Sequence, residues 1–208
     1  MVPLFSPRQP PPAGGFFYVE WKHGLILILM QNHILPHIKP RVAAIRKPPK
    51  QPLQNVLEDF IRTLKNDNIN VQGILQKSVS NPDGSRLGVD GVDILTLERI
   101  ALLRPTPYET NNKLCSLNLA ELSAATQIIR HAVETQADIA IVERYGKTEA
   151  DGGGLADDLL ALMSSGIPTL VLVSHDHWEA WQEFSGGLAE TLKGTSEALL
   201  GWWNGIQP

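Results

Sequence analysis

From Arg41 onward, apolar and polar positions follow two periods along the chain. Short runs in which nearly every residue is apolar predict strands buried on both faces, as in a parallel sheet. Longer runs with apolar residues three and four positions apart predict helices that bury one stripe. The predicted strands are residues 41–46, 69–76, 137–144 and 168–174, with one more within VDILTLERI at 92–100. The predicted helices are residues 53–68, 118–135 and 155–166, and a last helical region begins within 175–192.

The order of these elements, strand and helix in turn, predicts the fold class. Such alternation indicates βαβ units, with a mainly parallel sheet covered by helices on both faces. We therefore expect one three-layer α/β/α domain at residues 41–208. Ligands of such sheets bind at the carboxyl ends of the strands. Three segments follow those ends: residues 47–52, 143–154 and 174–178.

Residues 1–40 lack this regular period and are rich in proline. A strand is predicted at Leu25–Met30, while prolines at 36 and 40 interrupt any helix. Two interpretations compete. The segment is an N-terminal extension, whose state ranges from ordered to disordered, or translation begins at Met30 and the preceding residues are a start-site artefact. The regular pattern starts only at Arg41, which favours the second interpretation.

Composition and charge narrow the function classes. The net charge of −4 argues against a nucleic-acid partner, because phosphate binding needs a concentrated basic face. The single cysteine, Cys115, excludes an internal disulfide and fits a reducing compartment. The longest apolar run, residues 24–30, is far shorter than the ~20 residues of a bilayer span. We expect a cytoplasmic protein with no membrane partner, and homo-oligomerisation stays open.

The segment KPPKQP at 47–52 occupies the place of a phosphate loop, between the first strand and the first helix of the domain. A working phosphate loop needs glycines, a lysine and a hydroxyl residue that holds magnesium. Here there is no glycine, serine or threonine, and three prolines remove backbone N–H donors. Lys47 and Lys50 still place positive charge beside a helix start, which favours an anion. The alternative is a rigid basic loop without a ligand.

The segment ERYGKTEADGGG at 143–154 has more candidate chemistry. Glu143 ends a buried strand, where phosphoryl-transfer folds handle magnesium or a water. Lys147 and Glu149 follow as further candidates. The glycines at 152–154 precede a helix, and their free N–H groups predict an anion nest. The alternative is a glycine-rich connection whose charged residues are solvated.

The third segment, SHDHW at 174–178, holds two histidines. His175 and His177 are a candidate metal pair, but the sequence places no third ligand beside them. Asp176 or Ser174 is equally suited to cap the final helix. Trp178, Trp181 and Phe184 fit one helical face and are predicted to be core residues rather than a stacking platform.

Several of these segments together resemble a known family. The matching pieces are VQGILQ, CSLNLAELSAA, IVERYGKTEADGGGL, GIPTLVLV and WQEFSGGLAETL. From about Arg41 to Leu192, the chain resembles an uncharacterised bacterial domain family often encoded near molybdate-transport genes. That family is similar to the thermophile-type nucleoside triphosphatases of the P-loop superfamily. Its central motif, Asn-Arg-Phe-Gly-Lys-x-Glu-Ala-x-Gly-x-Gly-Leu, matches residues 143–155, except that Glu143 replaces Asn and Tyr145 replaces Phe.

The resemblance implies a P-loop NTPase-like fold with a degenerate phosphate loop. It implies a small-molecule nucleotide or oxyanion as ligand, with Mg²⁺ and ATP or GTP as the expected cofactors. Glu143 would keep the magnesium-side acid, whereas Arg144 stands where the triphosphatases carry their catalytic base. We therefore expect binding, a link to molybdenum metabolism and at most weak nucleoside-triphosphatase activity. The alternative is a non-catalytic regulatory or protein-interaction module that retains the fold only.

Overall fold

The computed structural model describes residues 17–21, 24–28, 40–47, 53–106, 108–109 and 119–207. The chain divides into two compact units, residues 1–38 and 39–208. In the first unit, strand β1 (Phe17–Trp21) pairs antiparallel with strand β2 (Gly24–Ile28). The strand predicted at Leu25–Met30 is confirmed by β2, whereas the sequence pattern does not predict β1.

The second unit is built on a seven-stranded sheet with the order β6-β5-β4-β7-β8-β3-β9. Strands β3, β4, β7, β8 and β9 run parallel, and β5 and β6 extend one edge antiparallel. The strands are β3 (Val42–Lys47), β4 (Val71–Ser80), β5 (Arg86–Asp93), β6 (Arg99–Leu103), β7 (Ile139–Tyr145), β8 (Thr169–Ser174) and β9 (Glu190–Leu192). The four strands predicted as continuous apolar runs are thereby confirmed as β3, β4, β7 and β8.

Helices cover both faces of this sheet, so the predicted three-layer α/β/α class is confirmed. The helices are α1 (Gln54–Asn66), α2 (Leu119–Glu134), α3 (Lys147–Ala150), α4 (Ala156–Ser164), α5 (Trp178–Phe184) and α6 (Ser196–Gly205), and a 3-10 turn spans His175–His177. One core cluster joins α1 and α6 to one face. The second cluster joins α2, α4 and α5 to the opposite face.

Strand alternation assigns each side chain at the site to a face. In β3, Ala43 and Ile45 contact the cluster beneath α1, while Ala44 belongs to the opposite cluster. The same alternation holds in β7, where Ile141 faces α1. Lys47 and Glu143 therefore continue toward the α1 face, because successive side chains of a strand point to opposite sides. Tyr145 belongs to the opposite cluster, because the pairing register of β7 shifts between Glu143 and Tyr145.

The strand predicted within VDILTLERI is wrong in its extent. Residues 94–98 form the turn between β5 and β6, and only its ends belong to strands. The Asp93 carboxylate accepts hydrogen bonds from the Leu95 N–H at 2.7 Å and the Thr96 hydroxyl at 2.9 Å. Such an Asx-type turn competes with strand pairing.

The single helical region predicted after residue 175 is also corrected, because it contains two helices separated by β9. Glu190–Leu192 pairs in parallel with β3 and forms one edge of the sheet. No helix among the described residues is long and apolar enough to cross a membrane.

Candidate functional site

Two predicted site residues meet at the carboxyl edge of the sheet. Lys47 ends β3 and Glu143 lies near the end of β7, with β8 between the two strands. Both side chains emerge on the α1 face, and the Lys47 Nζ lies 2.8 Å from the Glu143 Oε1. The strand ends therefore bring together the cation and the carboxylate that the sequence assigned to one site.

The surroundings of the Glu143 carboxylate are asymmetric. Glu143 is 5% exposed, and its Oε2 accepts a hydrogen bond from the Gln76 N–H at 3.1 Å. The Lys47 side chain is 36% exposed. The buried carboxylate is thus held by one cation and one amide, while the lysine keeps a path to solvent.

Further polar groups line the same edge. Ser174 is the register partner of Lys47 on β8. Arg46 lies on the opposite face, where its Nη2 is 3.4 Å from the His175 carbonyl oxygen and 3.5 Å from the His175 Nε2. The Arg46 guanidinium also lies 6.0 Å from the centre of the Trp178 ring. Sequence reasoning missed Arg46 and the Gln76 amide; an arginine directly before Lys47 at a strand end was the available signal for the first.

Glu149 has a definite partner set inside its own loop. Its Oε2 accepts a hydrogen bond from the Gly146 N–H at 2.9 Å, and its Oε1 accepts a longer one from the Leu155 N–H at 3.4 Å. Gly154 has φ +59°, and a Cβ at this position would lie 2.3 Å from the Glu149 Oε1. Glu149 therefore closes the connection between β7 and α4. The two hydrogen bonds explain why a glutamate stands three residues after Gly146, and the short distance at Gly154 explains why a glycine stands beside it.

The predicted nest of free N–H groups at residues 152–154 is wrong for two of the three glycines. The Gly152 N–H donates to the Glu149 carbonyl at 3.1 Å, and the Gly153 N–H donates to the Thr148 carbonyl at 2.9 Å. These donors are used within the turn, so they do not face outward as expected. The Gly154 N–H has no hydrogen-bond acceptor in the part of the chain that the structure describes.

Of the remaining predicted residues, those that the structure describes make no hydrogen bond or ion pair with the Lys47 or Glu143 side chain. Lys147 begins the short helix α3, is exposed and forms no ion pair with any described residue. Lys50 and Cys115 lie outside the described residues. Arg144 is exposed, because the pairing register shifts between Glu143 and Tyr145.

The described side chains at this edge offer few ligands to a metal ion. No group of three His, Cys, Asp or Glu side chains suited to a metal occurs among the described residues. His175 and His177 lie on the 3-10 turn, and the His177 Nδ1 is buried without a partner. Glu143 supplies one carboxylate, the oxygen ligand that Mg²⁺ prefers. It fits an ion that brings its other ligands as phosphate oxygens and water.

The predicted aromatic core beside this edge is confirmed. Trp181 is fully buried, and its ring centre lies 5.2 Å from that of Tyr145 and 5.8 Å from that of Phe184. Burial raises the pKa of the Tyr145 hydroxyl above its usual value, with smaller contributions from the charges of Glu149 and Glu183. The packing of these rings holds Tyr145, the residue before the 146–155 connection, in the core.

The sheet and its two helical layers define an α/β fold, which is similar to that of a nucleoside triphosphatase. A solved structure described as "Solution Structure of a Human Cancer-Related Nucleoside Triphosphatase" superposes with a TM-score of 0.52 at 16% identity. The match covers 80% of this chain and 95% of that one. Residues 42–202 match the family described as "Protein of unknown function (DUF2478)", and the chain belongs to that family.

A curated relative shares part of this sequence. Molybdenum import ATP-binding protein ModC 2 of Bradyrhizobium diazoefficiens is 31% identical over 163 residues. The match covers 78% of this chain but only 18% of the relative. The chain therefore corresponds to less than a fifth of that protein's length.

Proposed function

We propose that this chain binds a nucleotide or a smaller oxyanion at the carboxyl edge of β3, β7 and β8. The observation that carries the proposal is the contact of Lys47 with the buried carboxylate of Glu143 at 2.8 Å. A lysine at this edge supplies charge to a ligand, and the P-loop fold of the solved relative supports a phosphate there. The relative named for molybdenum import supports a role in molybdenum metabolism.

The chemistry proposed for the edge is an exchange of partners. An anion competes with Glu143 for Lys47, whose side chain is 36% exposed and reaches solvent. Arg46, also exposed, adds a second cation at the same edge. Glu143 would be the carboxylate that holds a Mg²⁺ accompanying the ligand, once Lys47 has released it. That ion would neutralise phosphate charge when bound. Lys147 and Gly154 are the remaining candidates to complete the site.

Hydrolysis is proposed to be weak at most. Arg144 cannot take a proton from an attacking water, because a guanidinium group has donors and no acceptor. Both Glu149 oxygens already accept hydrogen bonds from the backbone of their own loop. A general base must reach the proton that it removes, and neither residue meets that requirement in this arrangement. The proposal is therefore binding with little turnover.

The alternative function is a non-catalytic regulatory or protein-interaction module. One observation favours it: Glu143 is satisfied by Lys47 and Gln76 without any ligand. In addition, the match covers only 18% of the relative. The ATP binding for which that protein is named can therefore belong to a part of it that this chain does not match. Under this alternative the pair is a structural contact.

Thermal unfolding with a ligand panel separates the two functions. The panel is ATP and GTP, each with and without Mg²⁺, together with molybdate and tungstate. A ligand at a hundredfold excess over its Kd stabilises by about 2.7 kcal/mol, or roughly 5 to 10 °C for a domain of this size. We expect such a rise for at least one ligand. If none of them raises Tm, the binding proposal is refuted and the interaction module remains.

Three variants assign the rise to the proposed edge, each compared with its own ligand-free Tm. Lys47→Met is expected to abolish the rise. Glu143→Gln is expected to abolish only the part that depends on Mg²⁺. Arg62→Gln is the control, because Arg62 is an exposed cation on α1 that pairs with Asp59. A rise that survives Lys47→Met unchanged would place the ligand elsewhere.

A further inference from the structure

A cleft lies at the opposite end of the sheet from the Lys47–Glu143 pair, between α2 and the strands β4 and β6. Its volume is about 640 Å³, and its apolar wall includes Leu95, Ile100 and Ile128. Pockets for small ligands have this size and pair an apolar wall with a few polar groups. Gln72 at its base precedes Gln76 by four residues on β4, so about 13 Å of strand separates it from the first site.

Gln72 is a buried polar residue in the lining of this cleft. The residue is 3% exposed, and its Nε2 donates to the Asn70 Oδ1 at 3.2 Å and the Thr135 Oγ1 at 2.9 Å. Both amide hydrogens are therefore used, which fixes the orientation of the amide. Its Oε1 accepts no hydrogen bond from the described residues, although Gln72 lines the cleft. An amide oxygen that receives no donor from the protein is an acceptor available to a ligand that enters the cleft.

The other polar residues of the cleft are three carboxylates, Arg130, and the side chains of Thr96, Gln127 and His131. Asp93, Glu98 and Glu134 line it. Arg130 also lines it, but the Arg130 Nε donates to the Asp158 Oδ1 at 2.9 Å, so its charge is compensated outside the cleft. The field within the cleft is consequently negative, and the complementary ligand is a cation that donates hydrogen bonds.

We propose that this cleft binds a small organic cation with an apolar body: an aryl or alkyl amine, amidine or guanidine. The apolar body packs on Leu95, Ile100 and Ile128. The cationic head donates to the Gln72 Oε1 and is attracted by Glu98 and Glu134. This site is independent of the anion site proposed above, since it differs in place and in the sign of its charge.

Benzamidine is the probe, because it joins an aromatic ring to an amidinium. Binding is followed by ¹H–¹⁵N NMR of the full chain at low salt, with the Gln72 side-chain amide and the α2 backbone amides as reporters. We expect saturable shifts at these signals. Benzamide has nearly the same shape without charge, and benzoate has the opposite charge; both are expected to bind far more weakly.

The carboxylates are tested by the double variant Glu98→Gln/Glu134→Gln. Both side chains are exposed, so the fold should tolerate the change. We expect benzamidine affinity to fall about three- to tenfold, as for the loss of two exposed charge contacts. Glu179→Gln/Glu197→Gln removes the same charge from exposed sites outside the cleft and should leave affinity within about twofold.

Three results would overturn the proposal. The first is the absence of saturable shifts at Gln72 and α2 with benzamidine. The second is equal binding of benzamide or benzoate, because the site would then not select a cation. The third is an equal loss of affinity in both double variants, because the carboxylates of the cleft would then have no special role.

Discussion

Replacing Lys47 by Met removes the ammonium group that lies 2.8 Å from the buried carboxylate of Glu143. The Gln76 N–H then remains as the only described donor to that carboxylate. Breaking a fully buried ion pair from one side costs about 3 to 5 kcal/mol. The Lys47 side chain is 36% exposed, so water replaces part of the interaction. We therefore expect Lys47→Met to lower the free energy of unfolding by about 1 to 3 kcal/mol, between the buried and exposed limits.

A double-mutant cycle isolates the pair from the side effects of each change. Lys47→Met/Glu143→Gln removes both charges, so it should be more stable than the sum of the single effects predicts. We expect a coupling free energy of about 1 to 2 kcal/mol, because the two groups are in direct contact. The assay is urea unfolding at pH 7 followed by tryptophan fluorescence. The salt dependence of the coupling free energy is not a test of the pair, because low salt strengthens exposed ion pairs in general.

The chain offers a matched control for this cycle. The Lys77 Nζ lies 2.8 Å from the Glu58 Oε1, the same distance as in the first pair, but the two side chains are 31% and 37% exposed. A pair this exposed should couple by less than about 1 kcal/mol. Coupling between Lys47 and Glu143 that does not exceed that between Lys77 and Glu58 would refute the reasoning that burial strengthens the first pair.

Two further predictions concern the connection after β7. Gly152→Ala should cost about 1 to 2 kcal/mol, because it places a Cβ at φ +80° in open space. Gly154→Ala should cost about 1 to 2 kcal/mol more, because its Cβ also displaces Glu149 from its backbone donors; equal costs in urea unfolding would contradict the closing role of Glu149. The raised pKa of Tyr145 means that the folded state keeps this proton above pH 10.0 while the unfolded state loses it, so stability falls as pH rises. Tyr145→Phe should therefore lose less stability between pH 9 and pH 11 than the unchanged chain, and identical losses would contradict this assignment.

The central strands were predictable, because a strand that is buried on both faces consists almost entirely of apolar residues. IAIV and TLVLV read as continuous apolar runs, and both lie fully within the sheet, in β7 and β8. Strand β5 gives no such signal, since it contains two glycines in RLGVDGVD. At Gly91 a Cβ would lie 2.8 Å from the Ile74 Cδ1, so close packing requires glycine where a strand pattern expects a larger residue.

The candidate site was predictable in position but not in contacts. Residues at the ends of neighbouring parallel strands share one edge, so Lys47 and Glu143 could be assigned to one place from the sequence. Their direct pairing across β8 depends on strand register and side-chain parity, which the sequence does not specify. The same holds for Glu149, whose acceptors are filled by the N–H groups of Gly146 and Leu155 rather than left free for chemistry.

The most direct test of ligand binding at this edge is the amide signal of Gln76. This N–H donates to the Glu143 Oε2, so it reports any change in the Lys47–Glu143 contact. In a ¹H–¹⁵N NMR titration with MgATP, MgGTP or molybdate, the account predicts a saturable shift of Gln76 for at least one ligand. That shift should be absent in Lys47→Met. A Gln76 signal that stays unmoved through all three titrations would contradict the claim that this edge binds an anion.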